Sequence, residues 1–365
     1  MLAHERLGSG PPLVLIHGLG SRRQVWDPLI AELARHREVI AIDLPGFGES
    51  PLWPPLAGPH SPHRPRTSGP ALPGDRRRSD SRWALGPAAA GGETASGRTS
   101  PSDSALVGAH SMFHPASPDD AASPGGPTAP DRPTTFDEPT AMTDNPIPDD
   151  NPAVFEASPV PGSVGHLADL VAAFLDKLGL DRPELAGSSL GGGIALELGR
   201  RGRASAVTAF APVGFWGPAG RRWCQAVVGG ARVLSATLAP ALPRIFATRA
   251  GRVAFCGVFY GHPSRLSPED CLDSARALSH APGFAAARRA FGVWRLPVGA
   301  DPGALSGIPV TIAWGTRDLV LPHHRQAARA REELPAARHV LLPGCGHLPF
   351  ADDPARCAEL LTVRQ

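Results

Sequence analysis

Short apolar runs that end at glycine or proline alternate along this chain with amphipathic stretches. Two such runs are Pro12 to Gly18 (PLVLIHG) and Glu38 to Gly48 (EVIAIDLPGFG), and each is long enough for a strand buried on both faces. Between them, RQVWDPLIAELARHR places its apolar residues at steps of three and four, which predicts a helix with one apolar face. A strand, a helix and a second strand predict the start of a parallel sheet.

The same alternation returns in the second half of the chain. The stretch GHLADLVAAFLDKLGL has helical spacing, and PELAGSSLGGGIALEL passes from an apolar run through glycines into a helix that begins near Leu190. ASAVTAFAPV predicts another buried strand, and PVTIAWG and RHVLLPGCG predict the last two strands. A helix in DPARCAELLTV is expected to close the chain. We therefore expect an α/β protein with a mostly parallel central sheet and flanking helices.

Two segments interrupt this pattern. Residues 51–162 hold roughly half of the prolines, show no strand or helix period, and are predicted to be a disordered insertion, because they cannot bury enough apolar area to offset their ordering entropy. Residues 214–303 are rich in Ala, Arg and Leu at helical spacing without a convincing strand, which predicts a helical subdomain. The remaining parts, 1–50, 163–213 and 304–365, are predicted to form the core.

Charge and cysteine content narrow the class of protein. The chain has 365 residues and a formal net charge of +2, which argues against nucleic acid or an anionic membrane surface and favours a small molecule as partner. Five cysteines without a CxxC pair argue against a complete disulfide framework. No export segment is recognised, and no apolar run reaches the roughly 18 residues of a membrane span. We expect reduced thiols and a cytoplasmic location; the oligomeric state stays open.

Neither a metal nor a cofactor is expected. His110 and His114, in HSMFH, have a spacing that suits a metal only if that piece is helical. Because they lie in the Pro-rich segment, solvated histidines are the favoured interpretation.

A serine stands where a predicted strand turns sharply into a helix. In Gly187-Ser188-Ser189-Leu190-Gly191, small neighbours allow a tight turn that holds the central side chain, Ser189, out of the sheet. The amide of Leu190 begins the helix and is therefore an unpaired donor for a developing oxyanion. The alternative is a glycine-rich turn chosen for close helix packing, and the five-residue pattern alone does not decide between them.

A serine hydroxyl becomes a useful nucleophile only when an oriented base takes its proton. Asp318, in GTRD, follows the run PVTIAWG, and His347, in GCGH, ends the run RHVLLPGCG. Loops at the carboxyl ends of parallel strands share one edge, so Ser189, Asp318 and His347 are expected to converge there. The histidines that fit this arrangement less well are His262, His323 and His324.

The motif HGLG, His17 to Gly20, follows the first predicted strand. Its glycines let the backbone approach a ligand, so the amide of Leu19 is a second candidate donor to an oxyanion. We expect His17 to be a structural histidine that bonds the backbone nearby. Asp43, in DLPGFGES, is interpreted as a turn-forming residue in preference to an alternative catalytic acid.

With these motifs in this order, the chain resembles the α/β-hydrolase fold superfamily, in its serine-nucleophile, esterase- and lipase-like branch. HGLG is similar to the oxyanion loop of that family, GSSLGG to its nucleophile elbow, GTRD to its acid loop and GCGH to its histidine loop. The resemblance implies that Ser189 attacks an acyl carbon, that His347 acts as base and then as acid, and that Asp318 orients His347. It also implies that the amides of Leu19 and Leu190 hold the oxyanion.

The resemblance further implies that residues 214–303 form a helical cap over the substrate pocket. Ser189 in place of an aspartate argues against the haloalkane dehalogenase and epoxide hydrolase branches, whose nucleophile is a carboxylate. We expect hydrolysis of a small or medium carboxylic ester, or a related acyl compound, through an acyl-serine. The same triad also serves carbon-carbon bond hydrolysis, peracid formation and acyl transfer, and the fold also serves non-catalytic ligand binding; a scaffold role for the Pro-rich segment is a weaker alternative.

Two features depart from the family pattern. MLAHERLGSG supplies at most one strand before HGLG, whereas relatives usually begin with a hairpin. The insertion at 51–162 replaces a short loop, and an inert insertion is favoured over a lid. The aromatic residues of the cap are expected mostly to pack the cap onto the core; they are Trp216, Trp223, Phe255, Phe259 and Tyr260.

Overall fold

A computed structural model describes residues 1–53, 160–296 and 302–362. Within these ranges a seven-stranded sheet has the order β1-β3-β2-β4-β5-β6-β7. Its strands are β1 (His4–Leu7), β2 (Pro12–Ile16), β3 (Glu38–Ile42), β4 (Glu184–Ser188), β5 (Ala206–Phe210), β6 (Val310–Gly315) and β7 (Arg338–Leu342). Strand β1 pairs antiparallel with β3 at one edge, and the other neighbours pair in parallel. The mostly parallel sheet predicted from the sequence is confirmed.

Helices connect the strands in the alternation that the sequence predicts. They are α1 (Asp27–Leu33), α2 (Val164–Lys177), α3 (Leu190–Arg200), α4 (Pro218–Thr237), α5 (Leu242–Ala247), α6 (Arg249–Cys256), α7 (Pro268–His280), α8 (Phe284–Ala290), α9 (His323–Glu333) and α10 (Pro354–Thr362). Ser163 caps α2 by accepting a hydrogen bond from the amide of His166, and Gly179, at φ 70°, follows its end. In the described ranges, no helix combines the length and the apolar composition needed to cross a bilayer.

Both faces of the sheet are covered. In β2, Val14 and Ile16 pack into the cluster that contains α2 and α3, while Leu13 and Leu15 pack into the cluster that contains α1 and α10. All four side chains are at most 2% exposed. A strand with apolar contacts on both sides needs a continuous apolar run, which is the pattern that PLVLI shows.

Five of the helices, α4 to α8, lie between β5 and β6 in the chain. The structure describes no strand in the stretches 214–296 and 302–303, in agreement with the helical composition noted there. A small apolar cluster joins α5, α6 and α7 and includes Leu242, Phe246 and Cys271. The Pro-rich stretch predicted at 51–162 falls almost entirely outside the described residues, as do His110 and His114.

Candidate active site

Ser189 occupies a strained turn between β4 and α3. Its backbone has φ 54° and ψ −114°, a conformation that residues with a side chain rarely adopt. A Cβ atom on Gly187 would lie 2.1 Å from the carbonyl oxygen of Gly191, and one on Gly191 would lie 2.1 Å from that of Ile16. Only glycine fits at either position, at Gly187 because the turn is sharp and at Gly191 because the start of α3 packs closely against the end of β2.

Two backbone amides predicted to bind an oxyanion belong to segments that flank Ser189. Leu190 is the first residue of α3, so its N–H is not used within the helix and lies at the positive end of the helix dipole. The loop after β2 passes directly beside the serine, since a Cβ atom on Gly18 would lie 3.1 Å from the Cβ of Ser189. This close approach brings the Gly18–Leu19 peptide to the nucleophile.

His17 holds that peptide in place. The N–H of Leu44 donates to Nε2 of His17 over 2.9 Å, so the ring proton lies on Nδ1 and is donated to the carbonyl oxygen of Gly18 over 2.7 Å. The side chain is fully buried, and this burial lowers its pKa. Because a trans peptide directs its C=O and N–H in opposite directions, His17 also fixes the direction of the Leu19 N–H. The interpretation of His17 as structural agrees with these contacts.

The carboxylate of Asp43 binds both its own loop and the segment at Arg23. Its carboxylate accepts hydrogen bonds from the amide of Arg23 over 2.7 Å and from the amide of Glu49 over 3.0 Å. The guanidinium of Arg23 also forms an ion pair with it. The hydrogen bond from Glu49 is that of a turn-forming residue, whereas Arg23 lies 20 residues earlier in the chain. Together these contacts leave Asp43 poorly placed to serve as a catalytic acid.

Asp318 and His347 form a buried pair. Oδ2 of Asp318 lies 2.8 Å from Nδ1 of His347, and the two residues are 3% and 4% exposed. The other oxygen, Oδ1, accepts hydrogen bonds from the amides of Val320 (2.9 Å) and Leu321 (2.7 Å). The loop therefore aims one carboxylate oxygen at the imidazole and fixes the tautomer that leaves Nε2 able to accept a proton.

The three residues of the predicted triad follow β4, β6 and β7, whose carboxyl ends lie at one edge of the sheet. The structure joins Asp318 to His347 directly. In the described part of the chain no hydrogen bond links Ser189 to His347. Catalytic hydrogen bonds are often long without substrate and tighten when it binds, so this does not remove His347 as the base.

The cysteines are all buried and unpaired. Burial, with a further contribution from the charge of Asp318, raises the pKa of the Cys224 thiol to about 12, so this thiol is protonated and does not compete as nucleophile. Among the described residues, no group of three or more His, Cys, Asp or Glu side chains is arranged to hold a metal ion.

Two charged residues beside the histidine loop were not singled out from the sequence. Asp352 is buried, and its carboxylate accepts hydrogen bonds from the histidine loop and from the segment after α6. Arg317 precedes Asp318 and reaches the same segment. Asp352 and Asp353 are neighbours of identical type, so nothing in the sequence distinguished the buried one.

The chain is similar to known proteins in sequence and in structure. A family model described as alpha/beta hydrolase fold matches residues 11–223. The epoxide hydrolase EphH of Mycobacterium tuberculosis is 33% identical over 208 residues, which cover 54% of this chain and 92% of that protein. A pimeloyl-[acyl-carrier protein] methyl ester esterase of Aeromonas salmonicida is 52% identical over 48 residues, which cover 13% of this chain and 19% of the esterase.

Solved structures with a similar fold include a thermophilic esterase from Thermogutta terrifontis, with a TM-score of 0.55 at 20% identity. That superposition covers 99% of this chain and 91% of the esterase. The enol-lactonase from Burkholderia xenovorans LB400 superposes with a TM-score of 0.56 at 16% identity, covering 99% of this chain and 94% of the lactonase. At these identities the likeness concerns the fold alone.

Proposed function

Because this chain belongs to the alpha/beta hydrolase fold family and is a hydrolase, we propose that it cleaves a small or medium carboxylic ester, or a related acyl compound, through an acyl-serine at Ser189. One observation carries the proposal. Ser189 stands in a turn at φ 54° between β4 and α3, at the sheet edge that also bears the paired Asp318 and His347. The similarity over 48 residues to an esterase that is named for a methyl ester supports an ester as the substrate.

In the proposed reaction, Oγ of Ser189 attacks the acyl carbon while its proton passes to Nε2 of His347. Asp318, which is hydrogen-bonded to Nδ1 of His347, stabilises the imidazolium that forms. The oxyanion is held by the amides of Leu19 and Leu190. Collapse of the tetrahedral intermediate breaks the bond to the leaving alcohol, which takes the proton from His347. A water molecule then repeats the sequence and releases the acid.

The relative named as an epoxide hydrolase raises a second candidate function. If the hydroxyl of Ser189 opened an epoxide, the product would be an ether, which a base-activated water does not hydrolyse. A carboxylate nucleophile instead gives an ester, which water does hydrolyse. Epoxide turnover by this chain would therefore have to proceed by direct attack of water, with His347 as base and with Ser189 dispensable.

Ser188 provides a matched control for the experiment. It precedes Ser189 in the same motif, is fully buried, and its Oγ makes no hydrogen bond to the described residues. Ser188→Ala therefore removes a hydroxyl without breaking a contact, whereas Ser189→Ala removes the proposed nucleophile.

The test measures fluorophosphonate labelling and hydrolysis of p-nitrophenyl esters of increasing chain length, with styrene oxide as the epoxide probe. We expect the wild type and Ser188→Ala to be labelled and to turn over an ester, and Ser189→Ala to lose labelling and at least about 10³-fold in kcat. Ester hydrolysis that survives in Ser189→Ala would refute the acyl-serine mechanism. Styrene oxide turnover that is insensitive to Ser189→Ala would favour the second candidate.

A further inference from the structure

Residues 259–262 run directly against the loop that carries His347. This segment, here called the cap tether, connects α6 with a short turn at Pro263–Arg265. The amide of Leu348 donates to the carbonyl oxygen of Phe259 over 2.9 Å. A Cβ atom on Gly346 would lie 2.5 Å from that same oxygen. The two backbones are therefore in contact, with no room for a side chain between them.

The carboxylate of Asp352 joins these two backbones. Its Oδ2 accepts hydrogen bonds from the amides of Gly261 and Gly346, each over 2.8 Å. Its Oδ1 accepts one from the amide of His262, also over 2.8 Å. The side chain is 1% exposed. A buried carboxylate needs such charge-assisted hydrogen bonds, and here they come from two segments that are far apart in the chain.

The acid loop reaches the same tether. Nη1 of Arg317 donates to the carbonyl oxygen of Gly261 over 3.2 Å, and the amide of Arg317 donates to the carbonyl oxygen of Cys345 over 2.9 Å. Arg317 immediately precedes Asp318. The acid loop, the histidine loop and the cap tether thus meet at Gly261.

These contacts hold the backbone on both sides of His347. The preceding amide, that of Gly346, is bound to Asp352, and the following amide, that of Leu348, is bound to Phe259. We infer that Asp352 is a positioning residue that couples the cap tether to the proposed base and so sets how closely Nε2 of His347 meets Ser189. The inference rests on the proposed function, because it concerns the base of that reaction.

Asp353 provides the matched control. Its Oδ1 accepts a hydrogen bond from the amide of Arg356 at the start of α10, and it has no hydrogen bond to residues 259–262 in the described part of the chain. Asparagine serves as well as aspartate at the start of a helix, so Asp353→Asn should leave the site unchanged. In Asp352→Asn, the same change places an amide nitrogen against backbone N–H donors and therefore breaks part of the set of hydrogen bonds to Gly261, His262 and Gly346.

The first readout is kinetic. In Asp352→Asn we expect kcat for the best p-nitrophenyl ester to fall about 10- to 100-fold, with KM changed by less than about twofold, because a displaced base affects the chemical step more than substrate binding. The rate of fluorophosphonate labelling at Ser189 should fall in parallel. Asp353→Asn should stay within about twofold of the wild type. Equal kcat values for the two folded variants would overturn the inference.

The second readout is native-state hydrogen exchange, which does not depend on activity. Asp352→Asn should speed exchange in residues 259–262 and in residues 345–348 together, since one carboxylate binds both segments. Faster exchange in only one of the two segments would contradict the coupling. A wild type that neither hydrolyses esters nor is labelled would refute the proposed function and, with it, the effect of Asp352 on the proposed base. Faster exchange in both segments of Asp352→Asn would still show that Asp352 couples them.

Should Asp352→Asn fail to fold, Arg317→Gln tests the same coupling from an exposed side chain. It removes the hydrogen bond to the carbonyl oxygen of Gly261 and leaves Asp352 in place. We expect kcat to fall about three- to tenfold and exchange in residues 259–262 to rise. An unchanged kcat with unchanged exchange would overturn the inference.

Discussion

Replacement of His17 by phenylalanine separates a positioning role from a catalytic one. His17→Phe keeps an aromatic ring beside Phe47, whose centroid lies 5.7 Å away, but removes the hydrogen bonds to the Gly18 carbonyl and from the Leu44 amide. Both backbone groups lie in buried residues. At about 1–3 kcal/mol for each group left unpaired, the free energy of unfolding should fall by about 2–6 kcal/mol at neutral pH. If the Leu19 amide turns away as well, kcat falls by up to about 10³-fold.

The pH dependence of this difference has a definite sign. Burial lowers the pKa of His17, so below pH 6.5 the unfolded chain binds a proton that the folded chain does not. The stability that His17 gives the wild type is therefore present at neutral pH and is lost as the pH falls below 6.5. At pH 5.5 that loss reaches at most about 1.4 kcal/mol, and His17→Phe does not suffer it.

Urea unfolding of the wild type and His17→Phe at pH 7.5 and pH 5.5 measures the effect. The stability difference between them should shrink at the lower pH by up to about 1.4 kcal/mol. His36→Phe is the control at pH 7.5, because the His36 side chain is 56% exposed and its replacement should not cause this loss of stability. A stability difference that is the same at both pH values would refute the assignment of His17 as a buried, neutral histidine.

Two further substitutions test the proposed acid, Asp318, and the apolar core around Phe350. Asp318→Asn should lower kcat for ester hydrolysis about 10³- to 10⁴-fold, because the amide no longer fixes the tautomer of His347. The thermal midpoint should stay above the assay temperature. Full activity of this variant would contradict the proposed Asp318–His347 pair. Phe350→Ala should lower the free energy of unfolding, measured by urea denaturation, by about 3–5 kcal/mol. The Phe350 ring is 1% exposed, and its centroid lies 4.2 Å from that of Trp26 and 5.1 Å from that of Phe210. If the free energy of unfolding falls by less than about 1 kcal/mol, neighbouring side chains must fill the cavity that the Phe350 ring leaves.

The interior of the sheet was predictable because strands such as β2 are buried on both faces, whereas the edge strands β1 and β7 are partly exposed. The expected run from Pro12 to Gly18 contains β2, and the helix expected to begin near Leu190 is α3. The loops at the carboxyl ends were predictable from the parallel arrangement of the strands, which brings HGLG, the turn at Ser189 and the acid and histidine loops to one edge of the sheet. Local pattern and topology together were enough to nominate Ser189, Asp318 and His347, whose catalytic roles stay predictions.

What the sequence did not reveal depends on contacts between distant segments. The hydrogen bonds of Asp352 form where the cap tether meets the histidine loop, and no local sequence period indicates that contact. The cap aromatic residues show the same limit. Trp216 is 3% exposed, as expected of a packing residue, whereas Trp223 is 52% exposed and donates its indole N–H to the carbonyl oxygen of Leu319. Which face of a cap helix is covered is decided by its neighbours.

The distribution of the unpaired cysteines gives this protein its own probes of local unfolding. Cys256 and Cys271 lie in the apolar cluster of the helical insertion, and Cys345 and Cys357 lie in the core cluster against the sheet. A thiol reagent reaches a buried cysteine only when the surrounding structure opens, so the modification rate of each thiol measures an opening free energy. Mass spectrometry of the modified peptides would therefore show, without any introduced label, whether the insertion opens independently of the sheet.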